Sequence, residues 1–396
     1  MNSRSAKALF TKSTVLLSAA SMLICIVQAQ GPEPILSKDR PLVEIDLHRF
    51  GYDTSSDTRR LQKFVDFTDA SHLAVAWLTL DDPSNEKIGP LSKKPAHLHV
   101  LVLDATTGEK VGVREWSTPS TPVRFLGGRD GKFLTCTGNL LRSFSPSFEM
   151  VKEQDLHNDR ACANQFPWNA HWGLSPSRRS LLISHHSGQF YQNTLLDTDT
   201  FSAVASWTDA VPIENISDHW LLGSCGQKRE ACVRGIRDAW RPFQSTGTGK
   251  KTNDFGLFTR FVSDNMVVQG GPWWAKGSVV TVEGALLFQM EPPTNRYFEA
   301  VATSDGTDKF AVIEDRKNGR IREVLDMGDR LNDRALVYSI REQRAIYAVK
   351  VKGDSFWTPS ESHRNTLALS PDGPFLAVLD GANLKVYRLP DNIALH

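Results

Sequence analysis

The sequence predicts an all-β protein in which one strand-rich unit recurs seven times around a ring, a β-propeller of four-stranded blades. Three observations carry this prediction. A strand–turn–strand unit near the C-terminus has weaker copies upstream, and these copies are spaced by about one propeller blade. In addition, almost no segment shows the apolar spacing of an amphipathic helix.

The clearest unit is the stretch 367–390, LALSPDGPFLAVLDGANLKVYRLP. Its apolar and polar residues alternate and Pro-Asp-Gly stands at its first turn, which predicts three strands joined by tight turns. Weaker copies of the unit lie at 67–78, 125–139, 174–189, 216–225, 262–271 and 302–315.

The turn residues of the seven units set the spacing of the repeat. They are Asp69, Asp130, Ser177, Asp218, Asp264, Asp305 and Asp372, hereafter the turn markers. The intervals between them are 61, 47, 41, 46, 41 and 67 residues, and four of the six are close to the blade length of about 40–45 residues in propellers. An insertion at 81–96 explains the first long interval. Seven units therefore account for residues 61–396.

The segment 30–60 precedes the repeats and is predicted to close the ring. The last unit ends with KVYRLP at 385–390, a third strand, so the final blade lacks its outermost strand. The segment 41–47, PLVEIDL, alternates apolar and polar residues and belongs to no unit. Because an open sheet edge is unfavourable, we expect 41–47 to supply the missing strand.

The composition is that of a folded protein. The chain has 396 residues, of which 40% are hydrophobic and 23% charged. The 46 basic residues nearly balance the 45 acidic residues, so no basic excess indicates a nucleic-acid partner. Beyond the first thirty residues no run of about 20 apolar residues occurs, and we expect no membrane span in the mature chain.

The first 29 residues have the pattern of a secretory signal peptide. Arg4, Lys7 and Lys12 form a basic start without an acid, and the apolar stretch 15–27 follows. Cleavage is expected before Gln30. An uncleaved N-terminal anchor is the alternative. The signal predicts export to the periplasm or the extracellular space.

Removal of the signal leaves four cysteines, a number that permits disulfides in an exported protein. Cys225 and Cys232 end one predicted strand and begin the next, which favours a disulfide across the hairpin. Zinc binding and buried free thiols are the alternatives. The pairing of Cys136 and Cys162 stays open.

The repeat resembles those of WD40-like and YVTN-type β-propellers, through Ser-Pro-Asp-Gly at 370–373 and its degenerate copies. The resemblance covers residues 60–390, although no unit ends in Trp-Asp and none opens with Gly-His. It implies a fold and transfers no activity, because propellers host many unrelated functions.

No strong catalytic motif is present, so candidate site residues come from the predicted fold. The strand before each turn marker should line the central channel, where polar side chains are not needed for core packing. The candidate ligand-binding residues on these strands are Arg124, His171, Glu214, Arg260, Glu299, His363 and Arg364. This set is suited to an anionic or polyhydroxylated ligand. The alternative is a water-filled channel whose cations are neutralised by Glu214, Glu299 and Asp66.

Three further features have both a functional and a structural interpretation. His97 and His99 share one face of a strand and have a spacing that metal ligands can use, but two ordinary strand positions are favoured. Trp168 and Trp172 lie beside an inner strand, and Trp273-Trp274 lies between two glycine turns, where an exposed ring next to Lys276 could stack on a sugar or peptide. Packing of these tryptophans between blades is favoured. Asn215-Ile216-Ser217 matches a glycosylation acceptor.

Two functional hypotheses follow. The first is an exported, monomeric binding or scaffold protein without a cofactor, whose partner is a protein, a glycan or a small anionic ligand. The second is an extracytoplasmic propeller enzyme, either a hydrolase or lactonase with a channel-bound metal or a quinoprotein-like oxidoreductase. Convergent Asp, Glu, Asn or His side chains on the channel axis would favour the enzyme.

Overall fold

The structure is a computed structural model. It describes residues 37, 40–52, 63–80, 96–118, 123–156, 170–187, 189–225, 230–242, 259–270, 277–291, 296–304, 306–316, 333–351 and 366–390.

These residues form 28 strands in seven antiparallel sheets of four strands each. The strand that precedes blade 1 is β1 (Val43–Asp46). Blade 1 is β2 (Lys63–Phe67), β3 (His72–Leu80), β4 (Ala96–Asp104) and β5 (Lys110–Thr118). Blade 2 is β6 (Val123–Gly127), β7 (Phe133–Thr137), β8 (Leu140–Phe144) and β9 (Met150–Asp155). Blade 3 is β10 (Ala170–Leu174), β11 (Ser180–Ser187), β12 (Phe190–Asp197) and β13 (Ala203–Asp209).

The remaining four blades repeat this order. Blade 4 is β14 (Ile213–Ile216), β15 (Trp220–Cys225), β16 (Glu230–Gly235) and β17 (Arg241–Pro242). Blade 5 is β18 (Arg260–Phe261), β19 (Met266–Gly270), β20 (Gly277–Thr281) and β21 (Leu286–Met290). Blade 6 is β22 (Arg296–Thr303), β23 (Lys309–Arg316), β24 (Asp333–Ser339) and β25 (Arg344–Val351). Blade 7 is β26 (Leu367–Leu369), β27 (Phe375–Asp380), β28 (Asn383–Arg388) and β1.

The protein is thus a seven-bladed β-propeller, and the predicted fold class and repeat are confirmed. Every turn marker falls between the first and second strands of its blade, although Asp305 itself lies outside the described residues. The first strands of neighbouring blades lie next to one another and form the inside of the ring.

The closing strand is also confirmed. β1 is the outermost strand of blade 7 and pairs antiparallel with β28, from Val43 opposite Val386 to Asp46 opposite Asn383. Hydrogen bonds extend this pairing at both ends: Leu42 N–H donates to Val386 O (2.7 Å) and Leu47 N–H to Ala382 O (2.8 Å). Residues 42–47 therefore supply the outermost strand of the last blade, as predicted for 41–47.

The described residues form seven hydrophobic core clusters, one in each seam between neighbouring blades. Strand β3 shows how the sequence fills two seams at once. Leu73, Val75 and Trp77 pack towards blade 7, whereas Ala74, Ala76 and Leu78 pack towards blade 2. Because side chains alternate between the two faces of a strand, a strand buried on both faces is a continuous apolar run.

The antiparallel order gives the ring two different ends. The first and second strands of each blade, and the third and fourth strands of blades 1 to 6, are joined at the turn end. The second and third strands, and successive blades, are joined at the connection end. No helix among the described residues is long and apolar enough to cross a membrane.

Cys225 and Cys232 are bonded in the structure. They lie diagonally across β15 and β16 with their Cα atoms 5.8 Å apart. Cys136 is disulfide-bonded as well, and its partner lies outside the described residues.

Candidate functional site

A cavity of about 170 Å³ lies inside the ring, between the first strands of blades 1, 2, 3, 6 and 7. Most of the residues that line it have apolar side chains, with Phe64, Leu126 and Leu174 on one side and Val301 and Leu367 on the other. Asp66 and Arg178 are the two charged residues in its lining. The chemistry of the described cavity therefore depends on what these two side chains contact.

Asp66 and Arg178 form a clamp that joins three consecutive blades. Arg178, in the turn after β10, places its Nη2 atom 2.6 Å from Oδ1 of Asp66 on β2. Its Nη1 atom donates to the carbonyl oxygens of Phe67 and, at 3.2 Å, of Gly128. The other carboxylate oxygen of Asp66 accepts the N–H of Gly127 at 2.9 Å. The Arg178 guanidinium, which is largely buried, thus has a counter-charge and two carbonyl acceptors, and both carboxylate oxygens of Asp66 accept hydrogen bonds.

The clamp needs glycine at position 127. A Cβ atom there would lie 2.5 Å from the carbonyl oxygen of Phe67 and 2.6 Å from both Nη1 of Arg178 and Oδ2 of Asp66. Arg178 itself has a φ of 59°, in the left-handed region that non-glycine residues rarely adopt. Its backbone is fixed by the hydroxyl of Thr198, which donates to the Arg178 carbonyl at 2.7 Å.

A second inner-strand side chain accepts a backbone hydrogen bond across the seam between blades 4 and 5. Oδ1 of Asn215 on β14 accepts the N–H of Phe261 on β18 at 2.8 Å. The first strand of each blade is a sheet edge, so its backbone groups need partners from outside its own sheet. Asp66 and Asn215 supply such partners. The glycosylation motif is therefore part of an inner seam, with Ser217 fully buried.

The predicted channel residues lie on first strands wherever they are described. Arg124 is on β6 and Arg260 on β18, and both are half-buried. The backbones of His171, Glu214 and Glu299 lie on β10, β14 and β22, but their side chains are outside what the structure describes. His363 and Arg364 are outside the described residues altogether. A ligand-binding role for this set stays a prediction.

The turn markers link neighbouring blades at the turn end. Asp218 accepts hydrogen bonds from the hydroxyls of Ser177 (2.7 Å) and Ser180 (3.3 Å) in the preceding blade. The His219 N–H donates to Asp264 Oδ1 at 3.0 Å, and its Nδ1 atom lies 2.6 Å from Oδ2 of the same carboxylate. The aspartates at these turns thus join blades 3 to 4 and 4 to 5.

His97 and His99 lie beside Glu115 on the face of blade 1 that points towards blade 7. The His97 Nδ1 atom is 2.6 Å and the His99 Nδ1 atom 3.5 Å from the two Glu115 oxygens. His99 is stacked on Trp77 with a centroid separation of 5.3 Å, and its Nε2 atom is 2.7 Å from the Thr79 hydroxyl. Burial lowers the pKa of His99 and outweighs the attraction of Glu115. Among the described residues no group of three or more His, Cys, Asp or Glu side chains could hold a metal ion.

The tryptophans divide between described and undescribed positions. Trp172 packs against the seam between blades 2 and 3, which agrees with the structural interpretation. Trp168, the pair at 273–274 and Lys276 lie outside the described residues. The sequence patterns did not predict a second tryptophan cluster, which surrounds Arg234. Its guanidinium lies 5.3 Å from the ring of Trp207 and 4.8 Å from the ring of Trp240. Asp209 contacts Arg234 at 3.3 Å and accepts the indole N–H of Trp240 at 2.7 Å.

The sequence also missed Arg178 and Gly127. Arg178 directly follows a turn marker, so its place at the turn end was foreseeable, but its partner is 112 positions away. The only feature of the sequence that pointed to the clamp was an acidic residue, Asp66, on a predicted channel strand.

No family model and no curated protein matches the chain. Among solved structures, the chain is similar to an uncharacterized protein of Listeria monocytogenes EGD-e, with 11% identity, a TM-score of 0.46 and coverage of 86% of this chain and 97% of that one. It is also similar to the Pan2 WD40 domain of Neurospora crassa, with 9% identity, a TM-score of 0.40 and coverage of 91% and 99%. These similarities concern the fold alone. The seven four-stranded sheets establish the fold-level resemblance to WD40-like propellers.

Proposed function

We propose that this protein is an exported, monomeric β-propeller that serves as a binding or scaffold module for another protein. The observation that carries the proposal is the position of its exposed apolar side chains. Five of the seven large apolar residues exposed among the described ones lie on the outer strands of three consecutive blades, at Val111, Val113, Met150, Val151 and Val204. Large apolar side chains exposed on neighbouring blades are available for contact with a partner protein.

The inside of the ring supports the same proposal. Asp66 and Arg178 are committed to each other and to the backbones of blades 1 and 2, so they serve blade packing. Blade packing of this kind gives a rigid ring, and a rigid ring suits the presentation of an outer surface to a partner.

A small anionic ligand or a glycan in the channel is the second candidate. It is favoured by one observation, the location of Arg124 and Arg260 on two first strands of the ring. Arginines on separate strands that face one axis can act together on an anion or on sugar hydroxyls.

Cross-linking in the exporting cells, followed by reconstitution with the purified partner, tests the proposal. We expect one protein to be recovered and to form a complex of defined molar mass with the isolated propeller in light scattering. The propeller alone should have the mass of a monomer. If the recovered protein forms no complex, while anions or sugars raise the melting temperature of the propeller, the second candidate replaces the first.

The N-terminal residue of the secreted protein tests export. Edman degradation or terminal peptide mapping should find Gln30 first. A protein that stays inside the cell with residues 1–29 intact would contradict the export proposal.

A further inference from the structure

We propose that the cavity inside the ring binds a small uncharged molecule that carries several hydroxyl groups, a single sugar ring or a cyclic polyol. Backbone groups at the inner edges of the blades hold this molecule. The inference goes beyond the proposed protein-binding function, which concerns the outside of the ring. It also differs from the predicted anionic ligand, because it concerns a different part of the channel.

The cavity occupies the half of the channel at the turn end. Each first strand runs from the connection end to the turn end, and the cavity is lined by residues that end these strands, such as Leu174, Thr303 and Leu369. Pro176 and Arg178, in the turn after β10, line it as well. The cavity therefore extends along the channel to the turn end of the ring.

The predicted channel cations lie outside this cavity. Arg124 is the second residue of β6 and Arg260 the first residue of β18, so both lie towards the connection end, and neither lines the cavity. The two charged residues that do line it, Asp66 and Arg178, are paired with each other at 2.6 Å. An ion in the cavity would therefore find no uncompensated counter-charge among the described lining residues. Because burial of such an ion is costly, the cavity favours an uncharged occupant.

Several lining residues present their backbone to the cavity, because their side chains are buried in the seams. The side chains of Phe64 and Phe125 pack between blades 1 and 2. Those of Val65 and Ala368 pack between blades 7 and 1, and that of Leu367 packs between blades 6 and 7. The first strand of a blade is a sheet edge, so alternate N–H and C=O groups point away from its second strand. The cavity wall therefore contains both backbone donors and backbone acceptors.

A wall of this kind is suited to hydroxyl groups. A hydroxyl both donates and accepts hydrogen bonds, whereas a carboxylate accepts only and an ammonium group donates only. A ring with several hydroxyls can therefore pair with N–H and C=O groups at the same time. Its C–H groups can contact Leu126 and Val301, which are half-buried and also line the cavity. Because blade packing already fixes the strands, binding orders few protein groups.

The volume of the cavity limits the size of the occupant. At about 170 Å³ it is smaller than the sites of drug-sized ligands, which have about 300–1,000 Å³. It is much larger than the space of about 10–15 Å³ that one water molecule needs. A single ring is therefore the appropriate size, and a longer glycan could enter only with one terminal sugar.

The probes are glucose, galactose, mannose, fucose, N-acetylglucosamine and myo-inositol, each titrated into the whole mature protein in a calorimeter. Glucuronate and glucosamine are the charged counterparts, because they have the same ring as glucose but carry a carboxylate or an ammonium group. This comparison separates the uncharged ligand from the anionic one.

Thr303→Phe tests the location of the site. Thr303 is half-buried at the end of β22 and lines the cavity, so the larger side chain takes up part of its volume. The matched control is Ser263→Phe. Ser263 is half-buried in the turn after β18 of blade 5, and no described residue of that blade lines the cavity. Melting temperatures will verify that both variants fold.

We expect at least one uncharged probe to bind about tenfold or more tightly than glucuronate and glucosamine. Thr303→Phe should weaken its binding by about tenfold or more, and Ser263→Phe by less than about twofold. In the wild type, hydrogen exchange should show that the bound probe protects amides at the ends of β22 and β26. This last measurement decides the location even if Thr303→Phe does not fold.

Three results would overturn the inference. The first is that none of the uncharged probes binds at concentrations up to about 50 mM, which means that the cavity holds solvent only. The second is that glucuronate binds as tightly as glucose or more tightly, which indicates an anion site. The third is a bound probe that protects other strands and binds Thr303→Phe with undiminished affinity, which places the site elsewhere.

Failure of this inference can be distinguished from failure of the proposed function. If no sugar or polyol binds but a cross-linked protein forms a complex with the propeller, the cavity site is refuted and the protein-binding function stands. If a probe binds in the cavity but no protein partner forms a complex, the cavity site stands and the protein-binding function is refuted.

Discussion

Asp66→Ala is the perturbation that most directly tests the structure of the inner ring. It removes the carboxylate from Arg178 Nη2 and leaves the Gly127 N–H without its acceptor. The guanidinium, 7% exposed, keeps its carbonyl partners but loses its counter-charge. Removing one partner of a buried ion pair costs about 3–5 kcal/mol. Because Asp66 is 26% exposed and partly screened by solvent, we place the loss of unfolding free energy below that range, at about 2–3 kcal/mol.

The matched control is Asp199→Ala, which also removes an interblade carboxylate. Asp199 lies 3.4 Å from Arg129 and 3.1 Å from Lys132 but is 39% exposed. An exposed pair of this kind contributes about 0–1 kcal/mol, so the control should be nearly neutral.

Urea denaturation of Asp66→Ala, Arg178→Ala and the double variant measures the coupling between the two residues. The double variant should lose less stability than the two single variants together, because either substitution alone already breaks the pair. Additive losses, or a loss below about 1 kcal/mol for Asp66→Ala, would refute the reasoning that the clamp joins the three blades.

Further predictions concern the disulfide, pH, ring closure and the channel. Non-reduced peptide mapping should find Cys225 linked to Cys232, and replacing both with Ser should lower the unfolding free energy by about 2–3 kcal/mol; two free thiols would disprove the link. Because the pKa of His99 is lowered in the folded state, the imidazole is protonated at a higher pH in the unfolded state than in the folded state. The free energy of unfolding should therefore fall as the pH drops through about 6.5, the ordinary pKa of histidine. In thermal scans, His99→Gln should weaken this pH dependence. Deleting 30–47 removes β1 and the fully buried Leu47, so the product should lack a cooperative melt. If anions raise the melting temperature, Arg260→Ala should reduce the shift; an unchanged shift places the anion elsewhere.

The repeat and the closing strand could be predicted because their signals are local. A turn such as Ser-Pro-Asp-Gly at 370–373 is decided by neighbouring residues, and Gly373 there has a φ of 67° that favours glycine. The alternation in 41–47 likewise reports a half-buried strand wherever that strand pairs. Such features survive in a single sequence because they depend on few positions.

The contacts between blades could not be predicted, because each depends on how blades stack. Asp66 meets Arg178 across a whole intervening blade, and Gly127 is needed only because both side chains converge on its backbone. Trp207 and Trp240 come from different blades and meet around Arg234. The spacing of residues along the chain does not indicate which side chains of different blades come into contact.

The same separation between local and interblade determinants explains why the polar inner-strand residues invited a functional interpretation. If core packing were the only structural role open to a residue on a channel strand, a polar side chain there would indicate ligand binding. The first strand of every blade is also a sheet edge, however, and Asp66 and Asn215 accept hydrogen bonds from backbone N–H groups on the next blade's first strand. In a propeller, therefore, a polar side chain on an inner strand has a structural task that a sequence pattern cannot distinguish from ligand binding. An exposed apolar side chain such as that of Val151 on an outer strand has no such hydrogen-bonding task, so it is the stronger indication of a partner.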